Sequence, residues 1–301
     1  MISALNPSDR QFLNNLNRLG TRMQTSQRQI STGVRLERVS DDPNQVARLL
    51  QVRTGLSSVA QTLTNLSRIK AEVDSGETSL QTAVELFERA RTLAADGVTG
   101  TQTAANRSLI AHQVEGIIEQ LVGLSGTSAD GRFIFSGDSD QQIPYTIDWT
   151  QANPISGYLG TAATRTALHP AGNTFSLSHT AQEIFDSSDP ATNVFGSLLS
   201  LRTALLANDE PAIQAVNNGL SKVGEYLNSQ LAYYGLTQNR VSEATDFGQN
   251  LQLHLQAQLA GLQDADLTES ILELNQSQTQ QQASLQARAQ MPRTTLFDYL
   301  G

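Results

Sequence analysis

A chain of 301 residues with no cysteine, 5% aromatic residues and a formal net charge of −9 sets several function classes aside. It has no disulfide, thiolate nucleophile or cysteine-ligated zinc, and it lacks the cationic excess that duplex nucleic acid or an anionic membrane surface demands. Hydrophobic residues make up 39% of it, and with so few aromatic rings to supply buried area the apolar surface is spread thinly along helices.

Proline marks the organisation. Residues 44–143 and 212–291 contain none, whereas Pro144, Pro154, Pro170, Pro190 and Pro211 bracket the middle. A first helix starts after Pro7 with Ser8 or Asp9 as its cap. Its apolar row is Phe12, Leu16, Leu19, Met23 and Ile30, and Ile30-Ser31-Thr32-Gly33 ends it. Ser40-Asp41-Asp42-Pro43 opens a second helix, with an acidic cap and proline at the first helical position. Val52, Val59, Leu66, Val73, Leu80, Phe87 and Ala94 then recur at intervals of seven, with Leu49, Leu56 and Leu63 as companions. Running from Pro43 to about Ala95, this helix is too long to cover its own apolar row, so it needs partner helices; the row itself reads mainly as core within the chain. After a break at Asp96–Gly100, a third helix runs from about Thr103 to Ser128 with Leu109, Val114, Ile117, Ile118, Leu121 and Leu124 on its face. Gly116 and Gly123 inside it each cost about 1 kcal/mol relative to alanine.

The period changes at Gly131. Arg132–Gly137 reads as a short strand closed by glycine, and the stretch to Ser188 mixes aromatic residues with Pro, Gly, Asn and Thr, as in strands separated by turns. Helix returns at Asn193–Ala207 and again from Pro211. One row runs through Val216, Leu220, Val223, Leu227, Leu231 and Tyr234, then on through Ala244, Phe247, Leu251, Leu255, Leu259 and Leu262. A glutamine-rich last helix, Asp266–Gln290, carries Leu267, Ile271, Leu274 and Leu285, and Leu296 and Leu300 lie in a small apolar tail.

The fold expected is mainly α with a β-rich middle domain: a long antiparallel helical bundle built from both chain ends, with terminal helices forming coiled coil on assembly. Its parts are 1–42, an amino-terminal coiled-coil segment disordered in the monomer; 43–131, the amino-terminal half of the bundle; 132–190, a β-rich outward-facing domain; 191–263, the carboxy-terminal half; and 264–301, a second coiled-coil segment disordered in the monomer. The terminal rows are interrupted by Asn, Gln and Ser, so a lone copy does not readily offset the entropy of ordering them. Phe133 and Phe135 read as core at the domain boundary.

Catalysis is not expected. His112, His169, His179 and His254 show no metal-ligand spacing, and the sequence has no H-E-x-x-H, G-x-S-x-G, Walker or dinucleotide-binding pattern. Asp138 and Asp140 alternate as in a calcium loop, but that loop's glycine and closing glutamate are missing. Asp264 and Asp266 fit a helix cap better than an acid–base pair. No metal or cofactor is expected. No run is apolar for long enough to span a bilayer, and residues 1–10 have no apolar signal core.

Ile30-Ser31-Thr32-Gly33-Val34-Arg35 followed by Ser40-Asp41-Asp42-Pro43 resembles the amino-terminal signature of the bacterial flagellin superfamily. Gln238-Asn239-Arg240, Asp264-Ala265-Asp266, Gln290 and Leu296 resemble its carboxy-terminal signature. Gly131–Gly137 and the proline after the double aspartate are similar to its hook–filament junction branch. The resemblance covers roughly residues 1–137 and 190–301. It implies a structural protein in the extracellular flagellum, secreted through the flagellar type III apparatus without a cleaved signal and held beforehand by a cytoplasmic export chaperone. The partners implied are hook-associated protein 1, flagellin and copies of itself in a ring, with no nucleic acid and no membrane. The residues expected at assembly contacts are Phe12, Leu16, Leu19, Met23, Ile30, Leu267, Ile271, Leu274, Leu285, Leu296 and Leu300. A flagellin of the bulk filament and an unrelated cytosolic coiled-coil scaffold are the alternatives.

Overall fold

A computed structural model describes residues 7–36 and 42–290. Seven helices are present among them: α1 (Pro7–Thr32), α2 (Pro43–Val98), α3 (Ala104–Ser125), α4 (Ala181–Phe185), α5 (Val194–Leu206), α6 (Glu210–Gln263) and α7 (Leu267–Gln290). Two short antiparallel hairpins, β1 (Ser128–Ala129) with β2 (Arg132–Phe133) and β3 (Thr166–Leu168) with β4 (Thr174–Ser176), lie in the middle of the chain. The helices start where side chains satisfy their first backbone donors. The Thr103 hydroxyl accepts from the Asn106 N–H, and the Asn193 carboxamide oxygen accepts from the Gly196 N–H. Thr180 and Glu183 form a reciprocal capping box on α4, a helix the sequence did not announce.

The chain divides into two compact units, a terminal one (Met1–Ser58 with Gln252–Gly301) and a body (Val59–Leu251). In the body, α2 and α6 run antiparallel. Leu63 lies against Gly248, Gly76 against Tyr234, Phe87 against Gly224 and Gly97 against Ile213. The heptad row of α2 is core as expected, and every member from Val52 to Ala94 is buried. Two expected core residues face outward instead. Leu109 is 63% exposed because the inward stripe of α3 runs through Arg107, Ala111, Val114, Ile118 and Leu121, and Leu109 lies off that stripe. Phe247 is 45% exposed, its ring 5.2 Å from that of His169 in the β3–β4 loop.

The strand expected over Arg132–Gly137 stops at Phe133. Beyond it the backbone bonds to loops and to the start of α4 rather than to a neighbouring strand. The Ile134 N–H donates to the Thr127 carbonyl, and the Phe135 carbonyl accepts from the Ala181 N–H and the Tyr158 hydroxyl. Phe135 is thereby fully buried, its ring edge-on to Tyr234 at 5.9 Å and to Phe185 at 6.4 Å. Gly137 closes the turn at φ +64, where an added Cβ would lie 2.2 Å from the Thr161 carbonyl oxygen, so no other residue fits. Loop 146–155 is fastened to the helices by Trp149. Its indole N–H donates to Glu119 at 2.8 Å, and the Arg202 guanidinium sits 4.7 Å from its ring centre.

Gly116 and Gly123 in α3 have open space where a Cβ would be. Packing does not require them, so Gly116→Ala is expected to stabilise the body by about 1 kcal/mol; a lower denaturation midpoint than wild type would contradict this.

Beneath the β3–β4 hairpin, Glu72 pairs with Arg165. Burial raises the Glu72 carboxyl above its usual 4.5, and the Arg165 and Arg132 guanidiniums offset this only in part. A carboxyl raised in the folded state binds its proton more tightly there than in the unfolded chain. Its contribution to stability is therefore complete below 4.5 and lost as pH rises through the folded value. Glu72→Gln is expected to remove that loss and flatten the melting temperature of the body between pH 4.5 and neutrality; a profile parallel to wild type would contradict it.

Candidate assembly surface of the terminal helices

In the terminal unit α1 and α7 pack antiparallel. Asp9 pairs with Arg288 near one end, Arg22 with Glu273 at 3.4 Å further along, and the Ser270 hydroxyl reaches the Gln29 carboxamide at 3.3 Å. The Arg288 guanidinium also lies 5.7 Å from the ring centre of Phe12. α1 presents two rows with a seven-residue repeat, Phe12-Leu19-Ser26 and Leu16-Met23-Ile30. Of these, Leu19 (8% exposed) and Ser26 (3%) are buried, and the others are half-buried.

Serine supplies the matching seam on α7, where Ser270 (5%) and Ser277 (1%) are the buried residues and Ser284 continues the repeat. Small side chains let the two helices approach closely without adding apolar bulk, and their hydroxyls find acceptors nearby, as Ser277 does on Glu273. This seam was invisible to a reading that followed apolar residues alone; the recurrence of serine every seven residues was its only signal.

The expected contact residues therefore fall into two sets. Phe12, Leu16, Leu19, Met23 and Ile30 face the α1–α7 seam, and Leu274 is half-buried at its edge. Leu267 (48% exposed), Ile271 (48%) and Leu285 (50%) face away from it, and so does Leu272 (57%), which the sequence reading had passed over. At about 100° per residue, Leu267, Ile271 and Leu285 form one stripe roughly a quarter turn from the serine seam. Leu296 and Leu300 lie outside the described residues.

Two of the segments singled out at the ends of the chain, Ile30–Arg35 and Asp264–Asp266, meet in this unit. Gly33, at φ +70, turns the chain out of α1. Its carbonyl accepts from the Ala265 N–H at 2.9 Å, and the Arg35 N–H donates to the Gln263 carbonyl at 2.7 Å. The Arg35 guanidinium donates to the Leu262 carbonyl at 3.0 Å and to the Gln45 side chain at 3.2 Å, while Arg53 reaches the Gln263 carboxamide. Asp266 caps α7 by accepting from the N–H groups of Thr268 and Glu269. Four helix ends are thus tied by one short two-stranded contact and two arginines.

Among the described residues no three His, Cys, Asp or Glu side chains are grouped to hold a metal ion, and Asp140 is 3.5 Å from Arg132. No helix of the described residues is long and apolar enough to cross a membrane.

Comparison with known proteins gives this arrangement a context. Residues 4–140 match the bacterial flagellin N-terminal helical region, and residues 212–300 match the bacterial flagellin C-terminal helical region. The flagellar hook-associated protein 3 of Escherichia coli strain K12 is 25% identical over 291 residues, spanning 89% of this chain and 90% of that protein. Among solved structures, a protein of the flagellar hook-associated type from Vibrio parahaemolyticus superposes with a TM-score of 0.65 at 20% identity, over 74% of this chain and all of that one. The hook-associated protein-3 of Legionella pneumophila gives 0.62 at 11% identity, over 70% of this chain and 98% of that one.

Proposed function

The chain belongs to the bacterial flagellin family, and we propose that it is a structural component of the flagellum at the hook–filament junction. The observation that carries this is the match along nearly the whole length of a relative named as a flagellar hook-associated protein, 89% of one chain against 90% of the other. The physical arrangement agrees with an adaptor. The α1–α7 pair of the terminal unit keeps one row for itself and leaves a second row, Leu267, Ile271 and Leu285, facing outward.

In this reading the outward stripe and the half-buried α1 row are the assembly contacts, to hook-associated protein 1 on one side, to flagellin on the other and to copies of the chain around a ring. Leu296 and Leu300, outside the described residues, are counted with these contacts. The seam between α1 and α7 is too thin and polar to hold firmly, so segments 1–42 and 264–301 order fully only when neighbours cover them. The protein reaches its place through the flagellar export apparatus, accompanied in the cytoplasm by a chaperone. Segment 132–190 faces outward.

Immunogold labelling of detached flagella with antibody to residues 138–190 tests the assignment. Label confined to the hook-proximal end of each filament is expected. Label along the filament would make the chain a bulk flagellin, and absence from flagella despite expression would make it a cytosolic scaffold.

A further inference from the structure

A cleft of about 570 Å³ opens in the body between α2, β2 and β3. In a chain of net charge −9, its lining gathers three arginines, Arg68 from α2, Arg132 from β2 and Arg165 just before β3, against two carboxylates, Glu72 and Asp138. The arginines are engaged to different degrees. Arg165 is bound to Glu72, but its Nε is buried without an acceptor. Arg132 is 3.5 Å from Asp140 with 62% of its side chain exposed. Arg68 is exposed and has no ion-pair partner among the described residues.

A structural ion pair that pins the β3–β4 hairpin accounts for Arg165 and Glu72. It does not account for two further arginines held loosely over the same opening. Guanidinium groups present a planar fork that matches carboxylate and phosphate oxygens. Between them the cleft offers neutral hydrogen-bonding groups on Asn65 and Thr166 and apolar surface on Leu66 and Leu177. Polar groups converging over an apolar wall are the make-up of small-molecule sites.

We propose that this cleft binds a small anionic sugar, a sugar acid or a sugar phosphate. Its charged group sits between Arg68 and Arg132, its hydroxyls meet Asn65 and Thr166, and the C–H face of its ring lies on Leu66 and Leu177. The site lies wholly within the body and does not depend on the junction role.

Isothermal titration of the full-length protein with glucuronate, glucose 6-phosphate, glucose and inorganic phosphate, at constant ionic strength, tests it. At least one charged sugar is expected to bind roughly tenfold or more tightly than either glucose or inorganic phosphate, the scale of one charge-assisted hydrogen bond. The carboxylate and phosphate arms show which anion the site takes. Arg68→Gln, on an exposed helix face where folding is not at stake, is expected to weaken that binding by a similar factor. Inorganic phosphate binding as tightly as the charged sugars, no binding by either sugar, or unchanged binding by Arg68→Gln would each overturn the proposal.

Discussion

Replacing Ile271 and Leu285 together by aspartate is expected to leave a folded monomer that no longer enters flagella. Both side chains are about half exposed in the chain itself, at 48% and 50%, so the substitutions remove little internal contact. In the proposed assembly the same positions are covered by a neighbour. Losing two apolar side chains there forfeits about 3 kcal/mol or more, and desolvating two carboxylates adds to it. At 1.4 kcal/mol per decade, affinity for a neighbour falls by over about a hundredfold, and the defect repeats in every subunit. The readout is paired: unchanged circular dichroism of the purified protein, and loss of motility with the variant found in the medium. Leu19→Asp gives the contrast, since Leu19 is buried in the α1–α7 seam and its loss unpacks the hairpin before any neighbour arrives. Normal motility in the double variant would remove the outward stripe from the assembly surface.

The second large effect is expected at Arg107. This side chain is 4% exposed and ties together two turns at one end of the body. Its Nε donates to the Gly97 carbonyl at 2.9 Å, one terminal nitrogen donates to the Asn208 carboxamide oxygen at 2.8 Å, and the other lies 3.4 Å from the Thr99 carbonyl and 3.5 Å from Glu210. Asn208 holds φ +54 in the turn before α6, a conformation that its neighbours must stabilise. Arg107→Met keeps much of the volume and removes every donor, stranding carbonyls beside the C-terminal end of α2. The expected loss is about 3 kcal/mol, roughly 6–12 °C in melting temperature for a body of this size. Arg107→Lys is expected to recover part of it, because an ammonium group reaches one or two of these acceptors but not all. Arg91→Met, which breaks an exposed pair with Glu88, is expected to cost under about 1 kcal/mol. Equal melting temperatures for the two methionine variants would show that Arg107 does not hold the turns.

What the sequence disclosed followed from which residues carried the periodicity. The α2 row was legible because apolar side chains alone mark it, and all seven are buried. α3 misled because its inward stripe includes an arginine, so Leu109 was credited with a place that Arg107 occupies. The α1–α7 seam was half legible: apolar residues mark the α1 side, whereas serines mark the α7 side. In the middle segment the composition announced strands and turns correctly, but strand length there depends on which loop carbonyls accept from Ile134 and which donors reach Phe135. Such pairings join residues 7, 23 and 46 positions apart and leave no periodic trace. The breaks at Gly33 and Asp264 were visible too, though not that they bond to each other.

Trp149 is the only tryptophan in the chain, and it is fixed between Glu119 and Arg202 in the body. Its emission therefore reports on loop 146–155 alone, while the terminal helices, with no indole of their own, stay dark. A tryptophan placed at Leu272, which is 57% exposed on α7, supplies a second and separable signal. With wild type as reference, the two chromophores divide one binding isotherm into its assembly and body components, so a ligand of the cleft and a neighbour on the stripe can be followed in the same cuvette.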